Sequence, residues 1–214
     1  MDQKAFWTDR YESVGDDFLF GREPSEFLVK RRSIFQPNQS VLMIADGEGR
    51  NSVWLAGQGL KVTSNDICEV AISRARKLAD ESNTEVNFVE CNILNDQWST
   101  KCDQDSFDWV IGIFIQFANK KEQIKLFSLM KTMTKPNGRI LLLGYTPKQL
   151  EYKSGGPAAI ENLYTQELLR NEFSNWIIEE IVEYEKDISE GSAHKGMSAL
   201  IGIIANKKLH KDLY

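Results

Sequence analysis

Histidine, cysteine and proline are scarce in this chain: two, three and five among 214 residues. The cysteines, Cys68, Cys91 and Cys102, are odd in number and show no C-x-x-C spacing. That argues against a disulfide framework or a thiolate zinc site, and for reduced thiols in a cytosolic protein. His194 and His210 are isolated from each other and from metal-ligand spacing, so no metal is expected. An excess of positive charge is also missing. The net charge is −5, so no global basic field would attract nucleic acid. The clusters Lys30-Arg31-Arg32 and Lys207-Lys208 read as solvated faces or tail. The longest apolar run, Trp109 to Phe117, is interrupted by Gly112 and Gln116 and is far too short for a membrane span. The first residues, M-D-Q-K-A-F-W-T-D-R, lack the apolar core of a signal peptide. Repeats and low-complexity linkers are absent. These absences lead to an expectation of one cytoplasmic domain over residues 1–214, a monomer or homodimer without membrane or nucleic-acid partners.

What is present centres on V-L-M-I-A-D-G-E-G-R-N-S-V-W-L-A-G-Q-G-L-K-V-T-S-N-D, residues 41–66. Val41 to Ala45 is an apolar run of strand length. Asp46-Gly47-Glu48-Gly49 is a turn whose bare glycines let another molecule approach the backbone. Asn51 to Gln58 carries Val53, Trp54 and Leu55 on a short helix stopped by Gly59. Lys61 to Asn65 is a second strand, with Asp66 at its carboxyl end. In a right-handed strand–helix–strand unit, Gly49 and Asp66 come to one sheet edge, where amide N–H groups and a ribose-binding carboxylate describe a nucleoside pocket. A dinucleotide fingerprint would place a third glycine where Ser52 stands. Asp46, inside the turn, would repel a pyrophosphate. Asp46 and Glu48 suit a cation, which favours S-adenosylmethionine (AdoMet), with its sulfonium and ammonium groups, over NAD.

The rest of the chain reads as an alternating α/β pattern. Before the sheet, Phe6, Trp7 and Tyr11 lie on roughly one side of a short helix, and Phe18-Leu19-Phe20-Gly21 follow in a loop. This arm over residues 1–35 is either a packing element or a lid, with Trp7, Tyr11 or Phe20 near a bound sulfonium. Pro24 is placed to open a helix through Ile34. The spacing predicts a helix over 69–82, a strand over 86–90, a short helix around Trp98 and a buried strand over 107–114. A helix follows with Ile124, Phe127, Met130 and Met133 on its inner face and Leu126 and Leu129 widening the stripe. Lys135 to Gly138 reads as a turn before a strand over 139–143. The turn-rich stretch 145–160 is a candidate substrate lid. A helix over 164–173 precedes two strands, 176–186 and 196–205, joined by residues 187–195 as an antiparallel hairpin. The expected fold is therefore a Rossmann-like three-layer α/β sandwich. Its sheet, over residues 40–207, has seven mostly parallel strands closed by that hairpin. Asn92 and Ile93 after the third strand, with Ile67, would lie where an adenine ring sits if Asp66 holds the ribose.

Motif by motif, the chain resembles the class I AdoMet-dependent methyltransferases, and within them the small bacterial group related to tellurite-resistance and thiopurine methyltransferases. The resemblance rests on F-W-T-D-R-Y, A-D-G-E-G-R-N-S, V-T-S-N-D, F-D-W-V-I-G-I-F, K-P-N-G-R-I-L-L-L, Y-T-P-K-Q-L, S-G-G-P and E-G-S-A-H-K-G. It implies AdoMet as methyl donor and S-adenosylhomocysteine as product. Ala45, Asp46, Gly47, Gly49, Asn51 and nearby backbone would line the methionine part, Asp66 the ribose, Asn92 and Ile93 the adenine, and Ile113 and Phe114 the floor. Met43, Ala45 and Asn92 depart from the family pattern, which has an acid, a glycine and an aspartate there.

Methyl transfer from a sulfonium is an in-line displacement that needs alignment and exclusion of water more than acid–base chemistry. A soft anion would need no base. For a hydroxyl or amine acceptor the candidates are Gln116, Tyr145 and His194, with His194 the most able chemically. The turn Ile115-Gln116-Phe117-Ala118 lacks the Pro-Pro-aromatic element of enzymes acting on DNA amines, which favours a small-molecule acceptor. A protein or RNA acceptor and a non-catalytic AdoMet-binding domain stand as alternatives.

Overall fold

In the computed structural model, which describes residues 2–95 and 104–208, the apolar runs of the sequence stack side by side in one sheet. The strands are β1 (Ser40–Ile44), β2 (Lys61–Asp66), β3 (Val86–Glu90), β4 (Phe107–Ile113), β5 (Thr134–Tyr145), β6 (Ile177–Glu190) and β7 (His194–Asn206). Among the described residues they form a seven-stranded sheet in the order β3-β2-β1-β4-β5-β7-β6. β1 to β5 run parallel, and β7 pairs antiparallel with both β5 and β6. This is the Rossmann-like sheet with a reversed last hairpin that the sequence leads one to expect.

The helices are α1 (Gln3–Glu12), α2 (Glu26–Val29), α3 (Arg50–Gly57), α4 (Glu69–Glu81), α5 (Lys120–Met133), α6 (Gln149–Tyr152) and α7 (Gln166–Glu172). Successive residues of the central strands point to opposite faces, and both faces are covered, so the strands are apolar throughout rather than alternating. Leu42, Ile44, Val110, Ile140, Leu142 and Ile203 meet α5 and α7 through Phe127, Met130 and Phe173. Val41, Met43, Trp109, Ile111, Leu141 and Ile204 meet Phe27, Leu28, Phe35 and Leu55 on the other side. Met43, where the family pattern has an acid, is completely buried there.

Several boundaries differ from the sequence reading for identifiable reasons. The helix expected over 24–34 is one turn, α2, followed by a 3-10 turn at Arg32–Ile34. Arg31 leaves helical geometry, lies against the Phe27 ring and pairs with Glu180 of β6. In α5, strict three-residue spacing drifts around a 3.6-residue helix, so Ile124 is 56 % exposed and Gln123 faces inward instead, while Leu126 is buried as expected. The expected turn at 135–138 is part of β5, as a bulge with Asn137 at φ 62° and a register jump opposite Phe107 and Trp109. The hairpin strands extend much further than expected. Only Gly191–Ala193 remain as the turn, so His194 opens a strand rather than sitting in a loop. The helix expected around Trp98 lies outside the described residues, as does Cys102. No described helix is long and apolar enough to cross a membrane.

Candidate active site

The strand order reverses between β1 and β4, which leaves a crevice beyond their carboxyl ends. The backbone there is strained: Ala45 and Phe114, the residues that follow β1 and β4, have φ of 47° and 58°. Left-handed geometry at a bulky aromatic costs of order 1–2 kcal/mol and persists only where its surroundings impose it. Here the Phe114 N–H is held by the Leu143 carbonyl at 2.8 Å, and Ala45 N–H by Asn65 Oδ1 at 3.2 Å. Asn65 also donates to the Cys91 carbonyl at 3.0 Å, so one side chain ties together the ends of β1, β2 and β3.

The crevice opens into a cavity with roughly 900 Å³ of empty space, its mouth included. Twelve of the fourteen residues expected to contact a cofactor line it: Trp7, Tyr11, Phe20, Ala45, Asp46, Gly47, Asn51, Ile67, Asn92, Ile93, Ile113 and Phe114. Gly49 does not. A Cβ there would meet the Cβ of Ala75 at 2.7 Å, so this glycine lets α3 and α4 approach one another. Asp66 does not line it either. Its two carboxylate oxygens accept the N–H groups of Gly47 and Cys68, each at 2.9 Å. Burial pushes its pKa up to about 6, only partly offset by those amides.

Asp46 lines the cavity, yet its carboxylate is turned to the start of α3, accepting from Ser52 N–H at 3.1 Å and Asn51 Nδ2 at 3.2 Å. It acts as a helix cap as much as a charge in the turn. Glu48 is tied down too, by Arg74 at 2.8 Å and by Phe20 N–H at 3.3 Å. Through Glu48 the glycine turn holds the N-terminal arm. That arm forms the roof: α1 is fixed by Lys4 to Glu90 at 2.6 Å and by Gln3 to the Phe117 carbonyl at 3.4 Å. Tyr11 presses on the glycine turn, where a Cβ on Gly47 would meet its hydroxyl oxygen at 2.4 Å. Asn92 Oδ1 accepts Leu94 N–H at 3.0 Å, a local turn.

Of the three expected catalytic residues, the structure brings only His194 to the cavity. Gln116 faces away. Its amide donates to the carbonyls of Tyr145 and Asn162 at 2.9 and 3.0 Å and accepts Tyr145 N–H at 2.6 Å, bracing the ends of β4 and β5. Tyr145 stands behind Phe114, its ring stacked on it at 4.7 Å. The residues that sequence reading passed over are Gln3, Asn65, Arg50 and Glu190. Arg50 lines the cavity from within the glycine motif, donating to Glu190 at 2.6 Å and to the Glu23 carbonyl at 3.1 Å. A basic residue in an otherwise acidic turn was the available signal for it. Glu190 carried none, because it was expected in a loop. Among the described residues no three histidines, cysteines or acids converge as a metal site.

Residues 41–138 match a family model described as a methyltransferase domain. Just under half of the chain therefore resembles a methyltransferase domain. Three solved structures with the same fold are distant in sequence. The structure reported for conversion of a disulfide bond into a thioacetal group during echinomycin biosynthesis superposes with a TM-score of 0.75 at 17% identity, covering 98% of this chain and 93% of that one. TehB from Haemophilus influenzae gives 0.69 at 18%, covering 94% and 67%. Magnesium protoporphyrin IX methyltransferase from Synechocystis, with S-adenosylhomocysteine bound, gives 0.67 at 16%, covering 97% and 100%. No curated protein matches the sequence. The fold is shared with that methyltransferase, and the cavity lies at the open strand ends of the sheet.

Proposed function

We propose that this methyltransferase transfers the methyl group of AdoMet to a small-molecule acceptor inside the roofed cavity. The observation that carries the reading is the enclosure of the strand ends. Trp7, Tyr11 and Phe20 lie over Ala45–Gly47, Ile67, Asn92–Ile93 and Ile113–Phe114, making a covered crevice rather than an open groove. The residues present suit a cationic nucleoside. Asp46 and Glu48 stand in the lining, and Ile67 and Ile93 are apolar walls for a base. Asp66 would exchange its bond to Gly47 for ribose hydroxyls.

AdoMet supplies a methyl carbon already activated by a sulfonium and departs as neutral S-adenosylhomocysteine. The protein's own task is then to hold the acceptor in line, exclude water and accept a proton where the acceptor has one to lose. The α1 roof and the aromatic walls serve the first two, and His194 can serve the third. Cys68 and Cys91 are not joined in a disulfide, which suits a reducing cytoplasm.

The test is a thermal-shift titration with S-adenosylhomocysteine, with NAD as control and Asp66→Ala alongside. At a ligand concentration about a hundredfold above Kd, binding adds roughly 2.7 kcal/mol. That corresponds to roughly 5–11 °C for a chain of this size. A shift absent with NAD and lost in the variant is expected; no shift with S-adenosylhomocysteine would end the reading.

A further inference from the structure

The inner end of the cavity is a box of aromatic rings around one histidine. The His194 ring lies 4.5 Å from Phe20 and 4.6 Å edge-on to Phe114, with Tyr145 at 5.9 Å. Phe20, Phe114 and His194 line the cavity, Tyr145 stands behind Phe114, and His194 Nδ1 faces Glu190, so the polar atom His194 offers a ligand is Nε2. Behind the histidine, Glu190 Oε2 is 3.8 Å from Nδ1 and is itself held by Arg50 at 2.6 Å. The charged and titratable groups facing His194 are Glu190 of β6, Arg50 of α3, Tyr145 of β5 and, across the Phe20 ring, Arg10 of α1.

We propose that this box seats a flat, uncharged aromatic acceptor carrying a hydroxyl group, with His194 removing the hydroxyl proton and Glu190 positioning His194. The proposal rests on the methyl-transfer reading above and adds the acceptor's chemistry to it. Flatness follows from the walls, since Phe20 and Phe114 offer ring faces and edges rather than a branched aliphatic pocket. Absence of charge follows from the electrostatics. Asp46, Glu48 and Arg50 line the cavity with their charges already engaged, by Ser52 and Asn51, by Arg74 and by Glu190. An oxyanion or thiolate acceptor would be buried there without a free side-chain counter-charge. A hydroxyl follows from the base, because a neutral hydroxyl becomes an effective nucleophile only as it loses its proton.

In the step itself, the acceptor oxygen forms a bond to the methyl carbon as the carbon–sulfur bond breaks, its electron pair staying on sulfur. The hydroxyl proton passes to His194. With Nδ1 turned to Glu190, Nε2 is the ring nitrogen left for the cavity. Burial lowers the pKa of His194, with Arg50 and Arg10 acting the same way and Glu190 against them, so the ring is neutral and basic near pH 7. Once protonated, the imidazolium gains Glu190 as a partner through Nδ1–H. Glu190 acts through His194 and is a positioning residue.

Three coumarins of nearly one shape separate the alternatives: 7-hydroxycoumarin, 7-aminocoumarin and 7-mercapto-4-methylcoumarin, each offered with AdoMet and followed by mass spectrometry. Their binding, read by fluorescence, and S-adenosylhomocysteine binding, read by calorimetry, are measured beside turnover. The hydroxyl compound is expected to bind and be methylated at least tenfold faster than the other two. His194→Gln should lower kcat by 10²-fold or more while S-adenosylhomocysteine still binds. Glu190→Gln should lower kcat about tenfold, with KM within threefold. It should also lower the His194 pKa seen by NMR, assigned with a His210→Gln variant. Normal S-adenosylhomocysteine binding without binding or methylation of 7-hydroxycoumarin would overturn the acceptor class and leave methyl transfer standing. So would transfer indifferent to His194, or a His194 pKa unmoved by Glu190→Gln. Failure of S-adenosylhomocysteine to bind would instead remove the methyl-transfer reading and this proposal with it.

Discussion

Asp66 shows how far a single side chain can be read from sequence. Its position at the end of β2 was legible, because a carboxylate closing the second strand after a glycine turn is a pattern with a mechanism. Its burial was not, because that depends on Tyr11 and α1, which arrive from the other end of the fold. The consequence is a measurable pH dependence. Its folded-state pKa of about 6 is above the ordinary carboxylate value of 3.8. The folded protein therefore binds this proton more tightly than the unfolded chain. The stabilisation from protonation is fully present below the unfolded pKa, and it is lost as pH rises through about 6. A displacement of about two units is worth roughly 3 kcal/mol. Urea midpoints measured from pH 7.5 down to pH 5 should accordingly move in favour of the wild type relative to Asp66→Asn. A constant difference between the two across that range would mean that Asp66 titrates normally.

Elements were read well wherever the residues that define them are close in sequence. β1, β2, β3 and α4 came out within a residue or two of their observed ends because local periodicity and glycine stops decide them. Elements decided by partners were not. The first hairpin strand continues past Lys186 through D-I-S-E because β7 pairs with it up to Glu190, and α2 stops where Arg31 reaches Glu180. Gln116 is the same lesson in one side chain. It sits at a strand end, where reactive groups gather, but Gly144 leaves room for it to fold back. A Cβ at Gly144 would meet Gln116 Oε1 at 2.7 Å. Gln116→Leu should remove the partner of the Tyr145 amide and one of the two partners of each of the Tyr145 and Asn162 carbonyls. A buried group left unpaired costs about 1–3 kcal/mol, so a loss of that order is expected. The thermal midpoint should then fall by roughly 2–12 °C. A stable variant with abolished turnover would return Gln116 to the catalytic role that its sequence position suggests.

At the scale of the whole molecule, three segments distant in sequence meet around the cavity: the N-terminal arm, the glycine turn with the start of α3, and the tip of the terminal hairpin. Glu48 joins the turn to the arm, Arg50 joins it to the hairpin through Glu190, and Ala193 N–H joins the hairpin to the arm at the Leu19 carbonyl, 3.2 Å away. Gly191 is where the tip and arm touch. Its φ is +67°, and a Cβ there would come within 2.4 Å of both Gly21 N and the Leu19 carbonyl oxygen. Because both neighbours are backbone, neither can turn aside as a side chain would. Gly191→Ala therefore brings left-handed strain of about 1–2 kcal/mol and also pushes the arm off the hairpin. The sheet does not pass through this contact, so the damage should stay local. Hydrogen exchange should quicken at residues 18–23 and 188–196 while the amides of β1, β4 and β5 keep their protection. S-adenosylhomocysteine should bind more weakly, because the roof formed by Trp7, Tyr11 and Phe20 would spend less time closed. Faster exchange spread evenly over the sheet would show that the hairpin tip supports the core. Local loosening with unchanged ligand affinity would show that the arm packs against the domain without closing over its ligand.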